Sequence, residues 1–170
     1  MNNRRGLAIA ALAGAASLAL VAAWVAVPAP RFVWNASASA PIGLYRVYPL
    51  APASVGDMVI ARLPKDVRLF AARRRYLPLG VPLVKRVVAV AGGRICANGA
   101  MVTVDGRAVA QQRGRDRAGR LLPAWQGCRA LARGEVFLLM AGAPDSFDGR
   151  YFGPTAARDV IGKAVPLWVR

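Results

Sequence analysis

The chain has 170 residues, room for one modest domain and an accessory segment. It carries 24 Lys and Arg against eight Asp and Glu, a net charge of +16, with two cysteines and no histidine. The missing histidine excludes Ser-His-Asp and Cys-His catalysis and the usual histidine-type zinc sites, and the scattered acids form no metal cluster.

The first element is an apolar run. Residues 7–27, LAIAALAGAASLALVAAWVAV, hold no charge, and as a helix they would span about 30 Å, the thickness of a hydrocarbon core. Arg4 and Arg5 precede it, which keeps that end cytoplasmic and sends everything after residue 30 across the membrane. A cleaved secretory signal has the same basic start and Ala-rich core. The length of the run, Pro28 and Pro30 at the cut site, and the interfacial character of Trp24 and Phe32-Val33-Trp34 favour a retained anchor. The division is therefore residues 1–30, a basic start and transmembrane anchor, and residues 31–170, a domain long enough for its own core.

All eight acids and all but two of the Lys and Arg lie in the second part. Much of the charge sits in two runs, residues 73–75 and 107–120. Neither interleaves aromatics for base stacking, so no nucleic-acid partner is expected. A solvated or lipid-facing surface is the reading favoured over a protein partner.

The apolar pattern of the domain favours strands. Residues 56–62, GDMVIAR, read as a turn entering a strand, and residues 81–91, VPLVKRVVAVA, as a β-branched strand bounded by Pro82 and Gly92-Gly93. Short strands at 94–97, 101–104 and 107–109 alternate with hairpin turns at Asn98-Gly99 and Asp105-Gly106. Residues 111–127 read as an exposed polar loop, 135–140 as a strand, and 160–169 as the strand that closes the sheet. No long amphipathic helix is expected outside the anchor. Cys96 and Cys128 either bridge, closing a loop of about thirty residues worth a few kcal/mol, or remain two buried thiols; an oxidising compartment favours the bridge.

With histidine absent, a hydroxyl nucleophile activated by lysine is the strongest remaining route to hydrolysis. Three segments bear on it. NASASAPIGLY, residues 35–45, sets small hydroxyl and methyl side chains just past the apolar run, where a serine Oγ stays open to a substrate backbone. LVKRVV, residues 83–88, puts Lys85 on the same strand face as Leu83 and Val87. Burial there disfavours the ammonium, whereas an edge-strand lysine would point to water. PDSFDGRYFGP, residues 144–154, spaces Asp148 and Arg150 to pair across a turn.

Together these segments resemble bacterial type I signal peptidases, and most closely their TraF-type relatives from conjugative transfer systems. The resemblance spans nearly the whole chain through SASAPIGLY, VPLVKRVVAVAGG, GEVFLL and PDSFDGRYFGP in the family's order. It implies a mainly β fold: a signal-peptidase-like antiparallel β domain with one N-terminal transmembrane helix, anchored in the bacterial inner membrane and facing the periplasm. It implies Ser39 as nucleophile, Lys85 as general base, and Ser37 with the Ser39 N–H as oxyanion hole. Ser146 would orient the lysine, and Asp148 with Arg150 would brace the site. No metal or organic cofactor is needed. The implied partner is a precursor protein with small residues before the cut, in the TraF branch a conjugative propilin that some relatives release as a cyclic product. Secretion-apparatus proteins are further candidates. Gly149 stands where the family has serine, and Ala40 where signal peptidases often carry methionine. The alternatives are a housekeeping type I signal peptidase, a LexA-like self-cleaving protease lacking its DNA-binding module, or a non-catalytic membrane-tethered scaffold.

Overall fold

The computed structural model describes residues 6–7, 9, 12–17, 30–49 and 52–170. The chain divides into two compact units, Met1–Pro30 and Arg31–Arg170. In the first, residues 6–7, 9 and 12–17 are helical. Most of the expected anchor lies outside the described residues, and among these no helix is long and apolar enough to cross a membrane.

The second unit is built from strands whose alternation of apolar side chains buries one or both faces. They are β1 (Phe32–Asn35), β2 (Gly43–Tyr48), β3 (Met58–Ala61), β4 (Leu83–Val90), β5 (Arg94–Asn98), β6 (Met101–Val104), β7 (Arg107–Gln111), β8 (Gly127–Ala130), β9 (Glu135–Leu139), β10 (Thr155–Ala156) and β11 (Val160–Val169). Seven form one sheet in the order β1-β2-β11-β3-β4-β9-β10, and four form a second, β7-β6-β5-β8. All pairings between the strands are antiparallel. The mainly β antiparallel expectation is thus met.

β4 is the spine of the larger sheet. Its Leu83 and Val87 pack with Val59, Ala61 and Leu138 on one side, while Val84 joins Ala40, Tyr45, Ile60 and Ala164 in another cluster. Burial on both faces explains why the strand reads as a near-continuous Val-rich run rather than a strict alternation. A third cluster, around Ile95, Val102, Phe137 and Leu139, joins the two sheets.

In the smaller sheet, Asp105 and Gly106 both take positive φ (48° and 79°), the two-residue turn that Asp-Gly favours between twisted strands. All four residues of β8 are exposed, so little apolar burial holds it at the edge. Cys96 and Cys128 face one another across β5 and β8 and are bonded as a disulfide, which ties that strand covalently. The two cysteines are therefore not free thiols.

Several elements add to those expected from the sequence. Phe32–Asn35 forms edge strand β1 and pairs with Gly43–Tyr48, which forms β2. A nine-residue helix, α1 (Lys65–Arg73), carries Asp66 in its first turn and Arg73 in its last, both favourable to its dipole. Ala71 and Val67 of α1 cover the first cluster. A short second helix, α2 (Gly149–Phe152), follows Asp148.

Candidate active site

Lys85 extends from the middle of β4, opposite Val59 of β3. Its side of the strand is the one that Leu83 and Val87 bury, and only 3% of the lysine remains exposed. Desolvation of the charged form pushes its amine from 10.5 down to about 8; the Asp148 carboxylate pulls it back up and the Arg150 guanidinium pushes it down. The amine donates to Ser39 Oγ over 2.7 Å. Once it loses its proton, the same contact can run the other way, with the hydroxyl donating to the amine's lone pair.

Ser39 reaches Lys85 because the loop between β1 and β2 folds across intervening strands. Ala40 anchors it, packed with Tyr45, Ile60, Val84 and Ala164 from four strands. The buried Asn35 holds the rest: its Nδ2 donates to the carbonyls of Ser37 (2.9 Å), Ala40 (3.1 Å) and Pro41 (3.0 Å), and its Oδ1 accepts from the Ser37 N–H. The Tyr45 hydroxyl donates to the Pro41 carbonyl over 2.7 Å. Gly43 lets β2 run tight against β11, since a Cβ there would stand 2.0 Å from the Trp168 carbonyl oxygen. The Ser37 and Ser39 hydroxyls lie 2.9 Å apart, and the Ser39 N–H points at Ser37 Oγ (3.3 Å). Both groups expected to receive an oxyanion therefore stand beside the nucleophile candidate.

Behind Lys85, Asp148 and Arg150 form a buried ion pair, with Arg150 Nε 2.8 Å from Asp148 Oδ1 and the two side chains 1% and 0% exposed. Arg150 also donates to the carbonyls of Pro144 and Met140, and Asp148 Oδ2 accepts from the Met140 N–H. Every strong group of the pair is satisfied, which a buried charge requires. Asp148 additionally caps α2 by accepting from the Arg150 N–H.

Ser37, Ser39, Lys85 and Ser146 line one cavity of about 640 Å³. A second hollow, of about 360 Å³ and lined by Ile42, Met140 and Ala143 among others, shares Ser39. Ser39 thus lines both recesses.

The sequence profile described as "Signal peptidase, peptidase S26" matches residues 4–169 of this chain. The chain belongs to the signal peptidase S26 family, in its TraF-type branch. A "Probable conjugal transfer protein TraF" of Sinorhizobium fredii (strain NBRC 101917 / NGR234) is 34% identical over 95% of this chain and 89% of that protein. An Escherichia coli "Plasmid transfer protein TraF" is 33% identical over 75% of this chain and 77% of that protein. Among solved structures, a signal peptidase I from Enterococcus faecalis V583 aligns with a TM-score of 0.39 and 16% identity, covering 67% of this chain and 97% of that one.

One expected contact is not formed. Ser146 is buried, yet its hydroxyl has no hydrogen-bond partner among the described residues, so it does not hold Lys85 here. The departure at Gly149 has a steric cause: a Cβ there would stand 2.7 Å from the Leu138 carbonyl oxygen and 2.8 Å from the Phe137 ring. A serine at this position could not enter without displacing β9. Asn35 and Tyr45 shape the site without belonging to any catalytic motif in the sequence. The only signal for Asn35 was its place two residues before a serine, where its side chain can close an Asx turn.

Proposed function

We propose that this protein is a membrane-anchored serine endopeptidase that cleaves a precursor after small residues, using Ser39 and Lys85. The observation that carries the reading is the desolvated Lys85 amine 2.7 Å from the Ser39 hydroxyl. Neutral Lys85 takes the Ser39 proton as Oγ bonds to the scissile carbonyl carbon. The Ser37 hydroxyl and the Ser39 N–H turn from each other to the oxyanion. Collapse breaks the C–N bond, the leaving amine takes the proton from Lys85, and an acyl-enzyme remains on Ser39. Water, or the amino terminus of the substrate itself, then attacks the ester, giving an open or a cyclic product. Asp148 and Arg150 brace the segment behind Lys85.

The relatives' names, conjugal and plasmid transfer protein, support a substrate in conjugation, and a propilin at the periplasmic face of the inner membrane is the one we assign. An apolar run of 21 residues ahead of the domain supports that placement. The test is processing of a propilin by the purified full chain. Wild type shortens the precursor, and Ser39→Ala and Lys85→Ala each leave it intact. Normal processing by both variants refutes the assignment, and product mass separates hydrolysis from cyclisation.

A further inference from the structure

The two arginine runs, separate in sequence, meet on one wall of the cavity that holds Ser39 and Lys85. Arg74 and Arg75 lie in the turn that follows α1, and Arg113, Arg115, Arg117 and Arg120 in the loop after β7. Arg74 donates to the Leu121 carbonyl (2.7 Å), and Arg120 donates back to the Arg74 carbonyl (3.2 Å). The wall is also tied to the dyad's own surroundings. The Tyr76 hydroxyl donates to Asp116, and the Tyr76 ring packs against Phe147 at 5.0 Å. Arg113 and Arg117 both reach Asp145, the neighbour of Ser146.

Among the described residues, six guanidinium groups thus line the cavity with only two carboxylates, Asp116 and Asp145, and three of the six pair with them. Asp145 is divided between two arginines, and Asp116 is engaged by Arg120 and Tyr76. Among the described residues, Arg74, Arg75 and Arg115 have no acidic partner; Arg74 and Arg115 donate only to backbone carbonyls, of Leu121 and Gly119. Arg75 moreover holds φ at 59°, a conformation that costs a long side chain energy. A merely solvated basic surface would spread such charges apart. Gathered over a concave surface, they focus a positive field into the cleft where the substrate must lie. A headgroup layer or a nucleic-acid duplex is too broad to follow that cleft, whereas an extended peptide fits it, and carboxylates offer guanidinium its bidentate partner.

We propose that the arginine wall selects the substrate: a polypeptide bearing Asp or Glu side chains near the scissile bond, seated on Arg75, Arg115 and their neighbours. This deepens the endopeptidase reading and rests on it. The test uses the full chain in a neutral detergent and two peptides with the same Ala-X-Ala cleavage site, one flanked by Glu and one by Gln. Wild type should favour the Glu peptide in kcat/KM by roughly tenfold, the scale of two well-placed exposed ion pairs, and lose that preference as salt rises. In Arg75→Gln/Arg115→Gln the ratio should fall to about one, and in Arg115→Glu alone the preference should weaken or invert. Binding of labelled peptides to Ser39→Ala, read by fluorescence anisotropy, separates the two claims. Tighter binding of the Glu peptide without cleavage by wild type upholds the wall and overturns the peptidase. Equal cleavage and equal binding of both peptides overturn the wall. So does arginine-dependent binding of anionic vesicles or single-stranded DNA without discrimination between the peptides.

Discussion

Lys85→Met should make the protein more stable and inactive at once. Holding the folded-state amine at about 8 against 10.5 disfavours the proton in the folded chain. Between pH 10.5 and about 8 the unfolded chain binds a proton that the folded one does not, so stability is lost as pH falls through this window; below it the full cost is in place, and above it the cost vanishes. The cost is about 3 kcal/mol at pH 7 and under about 1 kcal/mol at pH 10, from 1.36 kcal/mol per pH unit. Methionine fills similar space without a charge, but removes the Ser39 hydrogen bond, worth about 1 kcal/mol. The net gain is about 2 kcal/mol at pH 7 and near zero at pH 10, which for a domain of this size moves Tm by about 6 °C. The assay is thermal unfolding of the full chain in detergent, oxidised, at both pH values. A Tm that does not rise at pH 7, or a gain of equal size at pH 10, refutes the desolvated-lysine argument.

Further outcomes follow from the same geometry. Because the neutral amine is the reactive form, kcat/KM should fall about tenfold per pH unit below about 8 and level off above it; a flat profile from about pH 6 to 9 contradicts a lysine base. Asp148→Asn leaves the buried Arg150 without its counter-charge and should cost about 3–5 kcal/mol by denaturant titration. Gly149→Ser, which introduces the residue that the family resemblance implies, should destabilise rather than improve the protein by about 1–3 kcal/mol, since its Cβ meets the Leu138 carbonyl oxygen and the Phe137 ring. Asn35→Ala should lower kcat about tenfold or more with little change in KM, because the Ser39 loop loses its internal staple while the cavity walls stay in place.

How much was visible in the chain itself follows from which physical signals are local. The inward face of Lys85 could be read because strand alternation needs only its neighbours, Leu83 and Val87. The Asp105-Gly106 turn was equally readable, since two adjacent residues set its backbone. β1 and β8 were not, because Phe32 and Trp34 are half-exposed and all four residues of β8 are exposed, which erases the alternation. α1 spans only nine residues, too few for a helical period to stand out. The grip of Asn35 on three carbonyls exists only once the loop has folded over β4. The meeting of Arg74 and Arg75 with a loop some forty residues later depends on Tyr76 reaching Asp116, a pairing that no spacing reveals.

The most direct test of the Ser39–Lys85 account is to capture the covalent intermediate. The full chain would be mixed with an Ala-X-Ala peptide ester and quenched in acid for intact-mass and peptide-mapping mass spectrometry. Wild type should carry an acyl group on Ser39 that is absent from Ser39→Ala and strongly diminished in Lys85→Ala. Acylation of another residue, or peptide turnover undiminished in Ser39→Ala, would contradict the Ser39–Lys85 dyad.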